Sequence, residues 1–233
     1  ATIYTSRFGK ISGIFKGFYT SKKEFSSHLD IFSLNEFIFY PKKSEIWLVS
    51  HADLISDYQY LRNNISKARA AGILFNLIDK TMQVWDENKY VFDLIKNCLD
   101  LIEEERELKI FYIFLIKFLT FSGFQPEFSR CIGCNNKLSR NIAFSVSKGG
   151  LICEDCFTNV HDAKKISKQT SCVLSYIQDT DFSLVPRIKP TPECEKQIFY
   201  ILKEFLAYHF EFNELADPKI FRHIMMSFLQ PCI

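Results

Sequence analysis

Four cysteines in two close pairs constrain this chain more than any other feature. Cys131-Ile132-Gly133-Cys134 and Cys153-Glu154-Asp155-Cys156 are separated by 18 residues, inside the C-x2-C-x15–20-C-x2-C spacing that reads as zinc. The two-residue spacer lets each pair form a tight knuckle that aims both thiolates at one ion, and Gly133 lets the backbone turn closely. Two knuckles complete a tetrahedral sulfur shell at roughly 2.3 Å per Zn–S bond. Between them, Phe144-Ser145-Val146 and Gly149-Gly150-Leu151-Ile152 predict a β-hairpin that brings the pairs together. Four thiolates leave no position for water or substrate, so the expected zinc is structural. A thioredoxin-like redox reading leaves the second pair unexplained, and a zinc deaminase requires an H-x-E motif that the sequence lacks. Cys98, Cys172, Cys194 and Cys232 stand alone and read as small buried hydrophobes.

The rest of the chain divides by pattern. Thr2 to Thr5, Ile11 to Phe15, Phe37 to Tyr40 and Ile46 to Val49 are short β-prone runs. Gly9, Gly17 and the Pro41-Lys42-Lys43-Ser44 connection separate them, which predicts a small barrel or sandwich. After His51 the period changes. Leu54, Tyr58, Leu61 and Ile65, then Ile73, Leu74, Leu77 and Ile78, then Val91 to Ile102 recur at helical spacing. Glu103-Glu104-Glu105 reads as a solvated helix face. Further helices are expected at Ser167 to Ile177, from Glu193 to Phe212, and briefly after Pro218.

Composition bounds the class. Hydrophobic residues make up 47% and charged residues 24%, so the chain is not disordered. The most apolar stretch, Ile110 to Phe121, contains Lys117 and is shorter than the roughly 20 residues a membrane span needs, so it is expected to be a buried core helix. The opening ATIYTSRFGK lacks the basic and apolar regions of a secretory signal. It also lacks an initiator Met, and preceding residues are expected. A soluble cytoplasmic protein, not inserted in a membrane, is predicted.

Net charge is only +2, but its distribution is uneven. The first 23 residues carry Arg7, Lys10, Lys16, Lys22 and Lys23 and no acidic residue, interleaved with Tyr4, Phe8, Phe15, Phe18 and Tyr19. On a small barrel such residues suit single-stranded nucleic acid, with cations tracking phosphates and rings stacking on bases. The same residues also read as a solubilising face over a Phe core. Arg130, Lys137, Arg140 and Lys148 form a second cationic run, with no acid between Phe128 and Ile152. The sequence contains no phosphate-loop, dinucleotide, nucleophile-elbow or HExxH motif. His28 and His51 adjoin no nucleophile, and His209 reads as an interior or edge histidine. Catalytic residues: none are expected.

The order of parts resembles the bacterial DNA repair and recombination protein RecO family. Tyr4-Thr5 through Gly9-Lys10-Ile11-Ser12 and Lys16-Gly17 is similar to that family's strand–turn–strand entry. Pro41 to Leu54, Ser129 to Cys134, Ala143 to Cys153 and Phe205-Leu206-Ala207-Tyr208-His209 are similar to further family stretches. The family's opening strand and its Arg-rich turn have no counterpart here, and Ile31 replaces a frequent Pro. The resemblance implies an α+β chain with an N-terminal OB-fold β-barrel over residues 1–55, lacking its first strand. A mainly helical domain over 56–233 would follow, with the zinc segment at 128–158. It implies a non-enzymatic recombination mediator that binds single- and double-stranded DNA and anneals complementary strands. Its partners would be RecR, in loading RecA, and the C-terminal tail of single-strand-binding protein, in the nucleoid-associated cytoplasm. The expected DNA contacts are Arg7, Lys10, Lys16, Lys22 and Lys23, with Lys42 and Lys43 beside them. The expected zinc ligands are Cys131, Cys134, Cys153 and Cys156. Two other classes remain open on the residues alone: a zinc-stapled protein-interaction module without DNA binding, and an enzyme with an unrecognised site.

Overall fold

The computed structural model describes residues 1–16, 29–41, 46–138, 141–158 and 160–211. Lys22, Lys23, Lys42, Lys43, Arg140, His28, Cys232 and the helix expected after Pro218 lie outside the described residues. The fold is mixed α+β, with strands first and a largely helical remainder. The chain forms two compact units, Ala1–Glu104 and Glu105–Ile233, so the change from strand to helix near residue 56 lies within the first of them.

The first unit opens with four strands: β1 (Thr2–Thr5), β2 (Gly9–Phe15), β3 (Leu34–Tyr40) and β4 (Ile46–Ser56). Their order in the sheet is β1-β2-β4-β3. β1 and β2 pair antiparallel, β2 and β4 parallel, and β3 and β4 antiparallel. Side chains alternate along the strands, and the bulge at Ile38/Phe39 brings Val49 and Ala52 onto one buried face, where Ile3, Phe15, Leu29, Phe37 and Phe39 pack around them. The opposite face exposes Ile14, Ile38, Tyr40 and Ile46. Both edge strands, β1 and β3, line an apolar groove of about 1200 Å³ that also meets Phe75 and Phe92.

Helical spacing from Leu54 onward begins too early. Leu54 belongs to β4, where it pairs with Asn35, and bulges at Leu34/Asn35 and Ile38/Phe39 let the long strand follow β3 to Ser56. The helices begin after it as α1 (Gln59–Asn63), α2 (Ile65–Thr81) and α3 (Lys89–Ile102). The Asn64 side chain caps α2 by accepting from the Ser66 and Lys67 N–H groups, and Asn88 caps α3 through Val91. The α2–α3 connection is tied to the start of β2. Lys10 and Val84 form a parallel bridge, and the Trp85 N–H donates to the Lys10 carbonyl at 3.0 Å. Gly9 makes this approach possible: its φ is +62°, and a Cβ there would lie 2.0 Å from the Asp86 carbonyl oxygen.

The second unit is built on α4 (Glu107–Phe121), which packs against α6 (Lys168–Asp179) and α7 (Pro192–Phe210). Every residue of α4 from Leu108 to Leu119 is buried, as expected for a core helix. No helix among the described residues is long and apolar enough to cross a membrane. The two lysines of α4 are satisfied by protein groups. The Lys117 ammonium donates to the Gln178 and Thr180 carbonyls at the end of α6, where a cation complements the helix dipole. Burial lowers the Lys117 pKa, against the pull of Asp179 and Asp181. Lys109 reaches Glu105 and the Pro186 carbonyl. Glu195 of α7 is fully buried; its Oε1 accepts from Arg106 at 2.5 Å and from the Tyr112 hydroxyl at 3.2 Å.

Candidate metal centre and nucleic-acid interface

The four-cysteine segment forms the expected hairpin. β5 (Ile142–Ser145) pairs antiparallel with β6 (Gly150–Ile152), and β5 also pairs with β7 (Lys164–Ile166), a strand that its lysine-rich sequence does not announce. Two carboxylates that the spacing of the cysteines does not single out hold it in shape. Asp162 accepts from the Ser147 N–H at 2.7 Å and from the Ser145 and Ser147 hydroxyls, which fixes the hairpin turn. Glu127 Oε1 accepts from the Ser129 N–H, the Ser129 hydroxyl and the Arg130 N–H, which aims the chain into the first knuckle. His209 of α7 contacts the Val146 carbonyl at 2.9 Å, in keeping with an edge histidine.

These constraints bring all four cysteines together. The Sγ atoms of Cys131, Cys134, Cys153 and Cys156 lie within 4.8 Å of one another. The Cys134 and Cys153 sulfurs are 3.6 Å apart, too far for a disulfide at about 2.05 Å. They are close to the roughly 3.8 Å sulfur–sulfur edge of a tetrahedron built on 2.3 Å Zn–S bonds. Space explains Gly133, whose added Cβ would sit 3.0 Å from the Cys156 Sγ. Burial pushes the Cys131 thiol up. N–H groups of Cys153, Cys134 and Gly133 outweigh it and bring the thiol down to about 6. Hydrogen bonds shared with Cys153 and Cys134 push Cys156 up to about 12, and burial raises Cys153. One preformed thiolate beside crowded thiols is a donor set that a soft divalent cation would complete by displacing protons. A zinc ion fits these residues, and it would supply a structural cross-link with no open coordination position.

The lone cysteines divide. Cys98 and Cys194 are buried as expected, whereas Cys172 is exposed because it occupies the solvent side of α6, away from Ser171 and Leu174. His51 lies within 3.1 Å of the Asp53 carboxylate on β4, with no nucleophile between them.

Among the described residues, the expected DNA contacts Arg7, Lys10 and Lys16 do not converge. Arg7 is exposed in the β1–β2 turn, and Lys16 is exposed just past the other end of β2. At about 3.3 Å per residue the strand separates them by roughly 20 Å. Lys10 is turned to the helices, where it pairs with Asp79 at 3.4 Å. At the Arg7 end, Phe8 meets Trp47 edge-on at 5.1 Å and Trp47 lies 4.5 Å from Trp85, a ring cluster spread over three distant stretches of chain.

Known proteins match the chain over most of its length. The family model for the C-terminal region of recombination protein O matches residues 62–216. Over 222 residues the chain is 27% identical to the DNA repair protein RecO of Alkaliphilus metalliredigens, covering 93% of this chain and 90% of that protein. The RecO protein of Maridesulfovibrio salexigens is 30% identical over 193 residues, 81% of this chain and 78% of the relative. That of Desulforamulus reducens is 25% identical over 211 residues, 90% and 82% of the two chains.

Proposed function

Because the chain belongs to the RecO family of DNA repair and recombination proteins, we propose that it is a recombination mediator. In this reading it binds single- and double-stranded DNA and anneals complementary strands. With RecR it helps load RecA onto DNA coated by single-strand-binding protein, whose C-terminal tail it would dock in the nucleoid. The chemistry required is screening of phosphate repulsion, with no bond made or broken. A closed four-thiolate centre is consistent with such a role, since it offers no position for a reacting water.

The observation that carries the DNA-binding part is the strand order. An OB-fold is a five-stranded, partly open Greek-key barrel. A barrel of that kind without its first strand would leave four strands and two free edges. The sheet β1-β2-β4-β3, with its parallel β2–β4 pair and edges at β1 and β3, supports that reading. A fifth strand pairing with both edges would close such a barrel over the groove between them. Arg7 and Lys16 supply the described part of the proposed contact, with Lys22, Lys23, Lys42 and Lys43 completing it. Lys10 sits at its root, engaged by Asp79.

The test is annealing of two complementary labelled strands, with salt titrated and a Lys16→Glu/Lys22→Glu/Lys23→Glu variant alongside. Rapid, salt-sensitive annealing that the variant loses is the expected result. An unchanged salt slope in the variant would sink the assignment of these lysines. A second reading, a protein-interaction module, is favoured by the exposed Ile14, Ile38, Tyr40 and Ile46 on the outer face of the sheet. Folded, zinc-loaded protein that binds no DNA would decide for it.

A further inference from the structure

The first zinc knuckle carries an electrostatic arrangement that folding alone does not favour. Arg130 and Lys137 are partners in an isolated antiparallel bridge, closed by the Cys131 N–H donating to the Asn136 carbonyl at 2.9 Å. Residues directly opposed in this way present their side chains on one face with Cβ atoms about 4.5–5.5 Å apart, and like charges there are destabilising. Both side chains are exposed, and neither forms an ion pair with a described residue. The acidic group that acts on Arg130 is Glu127, whose carboxylate is already committed to Ser129 and to the Arg130 backbone. Lys148 extends the surface. The stretch beginning at Glu127 runs beside Gly149–Leu151 through the Glu127 N–H to Gly149 carbonyl bond at 3.0 Å and the Ile132 N–H to Leu151 carbonyl bond at 2.8 Å. Lys148 is exposed one residue before that stretch, on the turn fixed by Asp162. The acids of the second knuckle, Glu154 and Asp155, lie in α5 (Glu154–Phe157).

We propose that Arg130 and Lys137, with Lys148, form a second phosphate-contacting surface for a DNA strand, distinct from the N-terminal sheet. The proposal rests on the reading of the protein as a DNA-annealing mediator, and it adds where a strand is held. Annealing holds two strands at once, so one cationic face leaves the second strand's phosphates unscreened. The surface suits a backbone rather than bases or an apolar-ended peptide. Between the paired cations the exposed residues are Ile132, Gly133, Cys134, Asn135 and Asn136, with no aromatic ring. Contacts of that kind position a strand without reading its sequence.

A competing role for the pair is to balance the net negative charge of a zinc ion held by four thiolates, and the experiment separates the two. The full chain and its Arg130→Gln/Lys137→Gln variant are compared for zinc content by mass spectrometry and for binding of a labelled single strand by anisotropy across a salt titration. The expected variant keeps its zinc, and its log–log salt slope falls in magnitude by about 1.4, at roughly 0.7 per phosphate contact on single strands. Arg130→Lys, which preserves the charge, should retain the wild-type slope. Loss of zinc from the double variant would overturn the proposal in favour of charge balance. A zinc-loaded double variant with an unchanged slope, beside a Lys16→Gln variant whose slope falls, would overturn it and leave the DNA-binding reading standing. Wild-type protein that binds no strand at low salt would overturn both.

Discussion

The four-cysteine segment and the N-terminal sheet are both small β-structures, and they are held by opposite means. The four-cysteine segment is closed on itself: two turns separated by 18 residues converge on one point, and the carboxylates of Glu127 and Asp162 pin its loops. The sheet is open. Its strands come from residues 2 to 56, it has two unpaired edges among the described residues, and its helices are tied to it through Gly9 and Lys10. Closure by ligands needs only local spacing, whereas closure by strand pairing needs partners distant in sequence. The first is therefore a unit that should fail all at once, and the second one that should loosen by degrees.

The largest expected effect tests that contrast directly. Structural zinc in small zinc-finger peptides is worth about 10–16 kcal/mol, so Cys131→Ser should lose the metal and unfold the segment around it. Cys172→Ser, at an exposed lone cysteine, should keep one zinc per chain. Metal analysis with thermal unfolding checks both. The thiol chemistry adds a signature. Cys131 is held down at about 6, so its ionised form favours the folded metal-free segment above the unfolded thiol value near 9. That contribution is lost as pH falls through 6. Cys156, raised to about 12, has the opposite sign: its contribution is complete below about 9 and lost as pH rises toward 12. At neutral pH Cys153 and Cys156 are thiols that must ionise to bind metal. Zinc binding should therefore release about two protons or more per ion, measurable with a pH indicator in weak buffer. Release of one proton or none would mean that these thiols are already ionised.

The second unit also differs from the first in where it keeps its charges. Glu195 is 1% exposed on its side chain and pairs with Arg106, which is 43% exposed. Removing the outer partner strands a buried carboxylate, so Arg106→Ala should cost about 3–5 kcal/mol. Glu195→Gln leaves Tyr112 an acceptor and strands no buried charge, so it should cost less than about 2 kcal/mol. Urea unfolding of the two variants gives the order, and a reversed order would mean that Arg106 is not what stabilises the buried carboxylate.

How legible these regions were follows from the same distinction. The clustering of the four cysteines, the hairpin between them and the buried α4 could be read because each signal is local: a fixed spacing, a Gly-Gly turn, an apolar run interrupted by lysine. The end of β4 could not. Leu54, Tyr58, Leu61 and Ile65 fit a helical period, but pairing of Leu54 with Asn35 across the sheet overrides it. Lys10 reads as one of five free cations because nothing near it in sequence is acidic, yet Asp79 reaches it from α2. Trp47 and Trp85 gave no sign of meeting. For Lys22, Lys23, Lys42 and Lys43 the reading stands as a proposal, since they lie outside the described residues.

A smaller effect tests the junction of sheet and helices. Gly9→Ala must adopt a positive φ and set a Cβ against the Asp86 backbone, so it should cost at least about 2 kcal/mol. It should loosen the first unit without removing zinc from the second. Hydrogen exchange should show the loss of protection at the Trp85 N–H, which donates to the Lys10 carbonyl.

The smallest effect bears on function most directly. The Lys10–Asp79 pair has its carboxylate 63% exposed, so Lys10→Gln should cost less than about 1 kcal/mol. If Lys10 is spent on Asp79, the same variant should leave the salt slope of DNA binding where it was, while Lys16→Gln lowers it by about 0.7. Asp79→Asn then becomes informative. It removes the carboxylate and leaves Lys10 only the Asp79 main-chain carbonyl, so the slope should steepen as a less firmly held cation at the root of β2 meets phosphate. A slope that falls with Lys10→Gln and does not move with Asp79→Asn would show that Lys10 leaves Asp79 for DNA, and that the sheet unit is looser at this seam than its hydrogen bonds imply.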